Sequence, residues 1–331
     1  MPANLPPEYL EAEKRYKEAR STAEKVVALE DLLSKLPKHK GTDKLRADLR
    51  SRLSKLRDEA LRKKKSGGRT DLYTVDREGA AQVVLVGFAN SGKSSLLKSL
   101  TNANPVIADY PMSTIMPLSG MMPFEDIPYQ LVDLPPVGNE STDGWVSGII
   151  RNSDILLLVI DLADDPDVQA ELLMEQLKSW RISLLKAGSF IMGHDLKNPA
   201  SPKRVVIAGN KADHGVAAEG LRRLKDVVGN AYPVISVSAK TKTGLEDLKV
   251  TIFEVSRIIR VYSKEPGKEP DLGRPFTLPA GSTVLDLAEL IHRSFVQTLR
   301  YVCVWGSTRF PGQRVQKDYI LKDRDIVEIR V

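Results

Sequence analysis

Residues 87–94 read Gly-Phe-Ala-Asn-Ser-Gly-Lys-Ser, between the apolar run QVVLV and the segment SSLLKSL. The spacing G-x-x-x-x-G-K-[ST], set between a strand and a helix, constrains the fold more than any other feature of the chain. Small residues let backbone N–H groups converge on phosphate oxygens at a helix N-terminus. Lys93 would bring a point charge to the outer phosphates, and the Ser94 hydroxyl can ligate Mg²⁺. A chance match in a Gly-rich turn would leave both flanks unexplained. The expectation is a nucleoside triphosphate pocket on an α/β domain.

The surrounding pattern agrees. Strands are expected over 81–86, 129–133, 154–161, 204–209 and 232–236, with helices over 93–100, 167–183 and 245–261. Runs such as LLLVIDL are nearly continuous in apolar residues, which suits strands buried on both sides. The middle of the chain therefore reads as a mostly parallel sheet with helices on both faces.

At 331 residues the chain has room for about two domains, and its flanks differ from its middle. Residues 8–36 and 43–64 read as two helices. The second carries Leu45, Leu49, Leu53, Leu56 and Ala60 on one stripe, with Thr42 as its N-cap. A short connection favours an antiparallel hairpin, followed by a basic, Gly-containing linker over 63–68. Residues 36–65 hold twelve Lys or Arg against four Asp or Glu, a balance of +8, while the rest of the chain sums to −2. Such a footprint suits a polyanion, although a solvated helix face is the plainer alternative. The tail reads as strand 274–278, helix 284–295, strand 301–304 and strand 326–331, with a Thr283–Asp286 capping box. The expected divisions are 1–68, a helical arm with its linker, 69–265, and 266–331. The single cysteine, Cys303, excludes an intrachain disulfide, and the four histidines stand far apart in sequence. No apolar run is long enough to span a bilayer and the start lacks a signal-like apolar core, so a cytoplasmic protein without a membrane is expected.

The base is addressed by two further loops. Asn210-Lys211-Ala212-Asp213 follows the strand RVVIAG, and Ser238-Ala239-Lys240 follows YPVISV. The pair resembles the N-K-x-D and S-A-K loops of the translation-factor class of P-loop GTPases. The Asp213 carboxylate can accept from the ring N–H and the exocyclic amine of guanine, donors that adenine does not offer there. Hydrogen bonds to a charged group are worth about 1.5–3 kcal/mol each, so an unpaired carboxylate would reject ATP. The expected nucleotide site is Gly87, Asn90, Ser91, Gly92, Lys93, Ser94 and Ser95 for the phosphates, with Asn210, Lys211, Asp213, Ser238, Ala239 and Lys240 for the base; GTP or GDP is the expected ligand.

With these motifs in order, the chain resembles the developmentally regulated GTP-binding proteins of the Obg-related GTPases. They have a helical N-terminal segment, a GTPase domain and a small ubiquitin-like β-grasp module, the TGS domain. RYVCVWG followed by KDYILKDRDIVEI is especially similar to that module. Asp109-Tyr110-Pro111-Met112-Ser113-Thr114 resembles the family's first switch. The resemblance implies that Thr114 and Asp133 join Ser94 around Mg²⁺, and that Lys93, Thr114 and Asp133 carry the catalysis. Asn90 matches a P-loop asparagine that helps bind K⁺ in potassium-stimulated relatives; simple support of the loop is an equal alternative.

Three positions bear on turnover and architecture. Asp133-Leu134-Pro135-Pro136 stands where the family has Asp-Leu-Pro-Gly, and proline lacks the N–H that reports on the γ-phosphate. Val137 stands where Ras-like proteins have the catalytic glutamine, implying slow hydrolysis. The stretch from Trp180 to Arg204 leaves little space for the extra domain of eukaryotic members.

The resemblance implies a slow GTPase that docks on the ribosome or RNA through the helical arm and TGS module. A GTP-binding interaction protein, with little hydrolysis and a protein partner on the TGS module, is the alternative. Surface candidates are Arg300, Arg309, Arg314, Lys317, Lys322 and Arg324, with Phe310 able to stack on bases. Trp305 is expected to fill the small core in preference to stacking, Cys303 to lie inside a strand, and Trp145 and Trp180 to pack.

Overall fold

The computed structural model describes residues 75–101, 117–138, 140–189 and 198–330, together with 12, 16, 28, 29, 31, 32, 35, 49, 52 and 53. The chain divides into two units, 1–74 and 75–331. In the first, every described residue is helical, and Ala12, Leu29, Leu32 and Leu49 form one buried cluster with Tyr16 and Leu53 against it. Leu49 and Leu53 belong to the expected apolar stripe. Leu45, Leu56, Ala60, the Thr42 cap and the 63–68 linker lie outside the described residues.

The second unit begins with a seven-stranded sheet: β1 Gln82–Val86, β2 Leu118–Phe124, β3 Ile127–Asp133, β4 Ile155–Asp161, β5 Leu184–Leu185, β6 Lys203–Asn210 and β7 Val234–Ser236. The order is β2-β3-β1-β4-β6-β5, with β7 also on β6, and every pairing is parallel except β2 with β3. Alternation divides its apolar residues between two cores. Val84, Val86, Leu156 and Leu158 face one side, under α2 (Glu140–Asn152), α3 (Pro166–Ser179) and α4 (Ala217–Val228). Val83, Leu85, Leu157 and Val159 face the other, under α1 (Lys93–Leu100) and α5 (Leu245–Ser256). Trp145 and Trp180 pack at the margin of the first core, as expected.

A five-stranded sheet follows: β8 Ile258–Ser263, β9 Phe276–Pro279, β10 Tyr301–Trp305, β11 Gln313–Val315 and β12 Asp325–Arg330. Its order is β11-β10-β12-β8-β9, with β12 parallel to β8 and the other pairs antiparallel. Helix α6 (Val284–Ile291) supplies Val284 and Leu287 to the core made with Val261, Leu278, Val302, Val304 and Val327. The Thr283–Asp286 capping box forms as expected.

The helix expected over 167–183 ends at Ser179 and the strand expected over 274–278 lies at Phe276–Pro279; three further changes have clear causes. The helix expected to 261 stops at Ser256, because Arg257 turns left-handed at φ 50°, and 258–263 becomes β8 of the second sheet, ahead of the boundary expected at 266. The helix expected over 284–295 breaks at His292, whose extended backbone (φ −165°) caps the short α7, Arg293–Thr298. Trp305 does not fill the small core: β10 turns Val302 and Val304 inward, so Tyr301, Cys303 and Trp305 lie half-buried on the opposite face.

Candidate functional site

The cradle at the end of β1 is built on two forced close approaches. A side chain at Gly87 would put a Cβ 2.4 Å from the Val159 carbonyl oxygen, and one at Gly92 would meet Asn210 Nδ2 at 2.2 Å. Gly92 also has φ +89°, the left-handed region that favours glycine. Helix α1 starts directly after it, so the amides of its first turn point into the loop. Lys93 folds over this loop, donating from Nζ to the Gly87 oxygen at 3.0 Å and the Phe88 oxygen at 2.9 Å. Burial pushes its ammonium below the ordinary lysine value, with Asp133 opposing. Ser91 donates to the Phe88 oxygen at 3.0 Å. Asn90 is exposed with φ 62°, and Ser95 is exposed on the first turn of α1.

Asp133 is delivered by register. Leu85 of β1 pairs with Asp133, the last residue of β3, which carries the carboxylate to the mouth of the loop. Ser94 Oγ donates to its Oδ2 at 2.5 Å, while Oδ1 is buried without a hydrogen-bond partner. Burial pushes the Asp133 carboxyl up, against the Ser94 hydrogen bond and Lys93. An orphaned, buried carboxylate oxygen beside a serine hydroxyl is a donor set that fits a hard divalent cation. Thr114, the third expected ligand, lies outside the described residues with the rest of 109–114.

The base loops are tied to the cradle by Asn210. Its Nδ2 donates to the Ser91 oxygen at 2.9 Å, and its Oδ1 accepts from the Ala239 N–H at 3.2 Å. One buried side chain thus joins the phosphate loop to Ser238-Ala239-Lys240. Beside it, Ser238 Oγ donates to Asp213 Oδ1 at 2.7 Å and holds that carboxyl below the usual range, with Lys240 3.9 Å from the other oxygen. Asp213 remains exposed and so can receive a ligand. Ser238 is buried and accepts from the Thr241 N–H at 3.0 Å, which fixes its rotamer.

One contributor is absent from the motif reading. Lys211 pairs with Asp161, a buried carboxylate at the end of β4 that also accepts from the Ala163 N–H. A charge closing the run LLLVID is the sequence signal that marks it. Pro136, in the segment expected to be the second switch, is exposed. Val137 is buried in the core under α2, and its N–H donates to the Gly87 oxygen at 3.2 Å. Among the described residues, no cluster of His, Cys, Asp and Glu could hold a separate metal ion, and no helix is long and apolar enough to cross a membrane.

Of the expected surface basics, Arg300, Arg309, Arg314, Lys317 and Lys322 are exposed, as is Phe310, under the Arg309 guanidinium. Arg324 is exposed as well, and pairs with Glu125 at 2.8 Å.

Comparison with known proteins agrees with this geometry. A family model described as 50S ribosome-binding GTPase matches residues 82–189, and one for the TGS domain matches 259–331. An uncharacterized GTP-binding protein of Methanocaldococcus jannaschii is 28% identical over 92% of each chain. Developmentally-regulated G-protein 1 of Arabidopsis thaliana is 27% identical over 92% of this chain and 90% of its own. The Developmentally-regulated GTP-binding protein 2 homolog of Dictyostelium discoideum is 26% identical over 92% and 98%. Among solved structures, the YchF GTPase of Schizosaccharomyces pombe has the same fold at 14% identity and a TM-score of 0.53, covering 79% of this chain and 100% of its own.

Proposed function

We propose that this chain, a GTP-binding protein of the developmentally regulated, Obg-related type, hydrolyses GTP slowly with Mg²⁺ and docks on ribosomal or other RNA in the cytoplasm. The observation that carries the nucleotide part is the Asn210 bridge, which puts the phosphate loop and the Asp213 carboxylate in one frame. In this reading Asp213 accepts two hydrogen bonds from the guanine edge, and Ser238 keeps it ionised and aimed. Lys93 leaves its two carbonyl partners for the outer phosphate oxygens, where its charge offsets theirs. Ser94, Asp133 and Thr114 would hold Mg²⁺, which supplies charge neutralisation at the β- and γ-phosphates.

Turnover is slow because Val137, where Ras-like proteins have the catalytic glutamine, offers no polar side chain to the attacking water. Val137 is apolar and turned into the core, and its N–H is already spent on Gly87. Asn90, on an exposed left-handed turn of the loop, supports a role for K⁺ as the missing positive charge. The basic 36–65 segment and the exposed arginines of the second sheet support docking on a polyanion.

Single-turnover hydrolysis of GTP in Mg²⁺, run in K⁺ and in Na⁺, tests the catalytic half. Slow hydrolysis that speeds up in K⁺ is expected, and equal rates remove the ion from the scheme. The buried Val137 and exposed Pro136 favour a second reading, a GTP-binding interaction protein with a protein partner on the TGS module. Absence of hydrolysis in both salts would select it. Co-sedimentation with ribosomes that weakens steeply with salt is expected; no association at low salt with any nucleotide overturns the docking.

A further inference from the structure

The second sheet buries one face and leaves part of the other open. Val302, Val304 and Val327 point toward α6, so alternation sends Tyr301, Cys303 and Trp305 of β10, Arg314 of β11 and Glu328 and Arg330 of β12 to the opposite side. At β8 that side is closed by the first sheet: Arg260 and Tyr262 are buried against Glu125 and Asp126 of the β2–β3 turn. From β12 to β11 its aromatic rings are half-buried, with Gly312 of the β10–β11 loop lying against one edge of the Trp305 indole.

The side chains there are ordered by each other. The Arg314 guanidinium lies 3.6 Å from the centre of the Tyr301 ring, and Lys264 Nζ lies 5.3 Å from the Trp305 ring. Glu328, nearly buried, receives Lys264 at 3.0 Å and Arg330 at 2.7 Å. The face thus sets three cations against one carboxylate. Cation–π contacts hold the rings and the guanidinium plane in fixed orientations before any ligand arrives, which lowers the ordering cost of binding.

Resting on the docking proposed above, we propose that this face is the platform for a single-stranded segment of RNA. Bases stack on Trp305 and on the Tyr301–Arg314 pair, and Lys264 and Arg330 meet the phosphates. Unstacked bases offer the flat faces these groups match, and the excess positive charge complements the backbone. A duplex keeps its bases inside and could use only the charges. An acidic peptide would likewise use only the charges.

The test uses the full chain with GDP and Mg²⁺ at low salt. Cys303, the single cysteine, sits half-buried at the centre of the face and reports occupancy without any substitution. Its alkylation by a maleimide is followed with a twelve-nucleotide oligo(U), a duplex RNA of equal length, or polyglutamate. Oligo(U) is expected to slow alkylation severalfold in a saturable way, and the other two probes are not. Arg314→Glu is exposed in origin and should weaken oligo(U) binding, read by fluorescence anisotropy, about tenfold. Unchanged GDP binding and thermal midpoint would show that this variant is folded, and Trp305→Leu serves as the independent second variant. Oligo(U) binding with neither protection nor sensitivity to the variants overturns the platform and leaves docking by the basic arm standing. No RNA binding at all overturns both. Equal protection by polyglutamate overturns the RNA assignment in favour of an acidic protein partner.

Discussion

Asn210 sets the geometry of the site. Its two hydrogen bonds satisfy a carbonyl of the phosphate loop and an amide of the base loop, and it is itself buried. Replacing it by alanine leaves both groups unpaired in the interior, which should cost about 1–3 kcal/mol in chemical denaturation and weaken both GTP and GDP. Asp213→Ala should act chiefly on binding, lowering guanine-nucleotide affinity by at least about 100-fold in calorimetry, with a smaller loss of stability because the buried Ser238 hydroxyl loses its acceptor. A comparable loss for adenine nucleotides would show that the carboxylate does not read the base. At this scale the motifs single out residues that are also neighbours in the structure, Ser94 with Asp133 and Asp213 with Ser238. The sequence is silent on Asp161 as the partner of Lys211, since that contact spans two strands and neither residue announces the other.

At the scale of elements the second switch and the tail helix make separate predictions. Pro136 is exposed and has no N–H, so Pro136→Gly restores a donor and frees φ. Faster single-turnover hydrolysis, with a larger difference in switch order between GTP-analogue and GDP forms, is expected. An unchanged rate and response would show that the proline does not limit coupling. The capping box at α6 should be worth about 1 kcal/mol, read as the loss of stability in Thr283→Ala. The strands of the parallel sheet were legible because burial on both faces makes continuous apolar runs. β2 was not, because Gly120 and Pro123 interrupt its pattern and its ladder with β3 carries it. The sequence of β8 does not separate a strand from the end of a helix, since Ile-Ile-Arg-Val-Tyr is apolar enough for either. Only Arg257 in the left-handed region and the pairing with β12 and β9 decide between them. The side taken by Trp305 is not legible either, because a ring in a strand with two valines does not reveal which side of the pleat it takes.

Within the second unit, the two sheets are joined by a charge cluster that no local pattern foretold. The Arg260 side chain is 3% exposed and reaches Asp126 at 2.9 Å and Asp323 at 2.7 Å, with Glu125 also paired to it. These partners lie 63 and 134 or more positions away in sequence. Arg260→Ala should cost about 2–3 kcal/mol, less than a fully buried pair because the carboxylates are 22–46% exposed. The hydrogen bond from Arg260, with one from Arg324, holds Glu125 below the usual carboxylate range. At Asp323 burial is the largest influence and pulls upward, but the side-chain and backbone hydrogen bonds from Arg260 and the charges of Arg260 and Arg324 together hold the carboxyl below its usual value. Carboxyls depressed in the fold contribute stability that is complete above their ordinary range and lost as acid carries the pH down through the lowered values. Stability should therefore fall from about pH 5 downward, and the fall should be shallower in Arg260→Ala. An identical acid limb in the variant would assign it to other groups.

Calorimetric titration of the purified chain with GDP and, separately, ADP, both with Mg²⁺, bears most directly on the account as a whole. One site for GDP per chain is expected, with ADP at least about 100-fold weaker because the Asp213 carboxylate would be left without donors. Equal affinity for the two nucleotides, or no heat of binding from either, would contradict it.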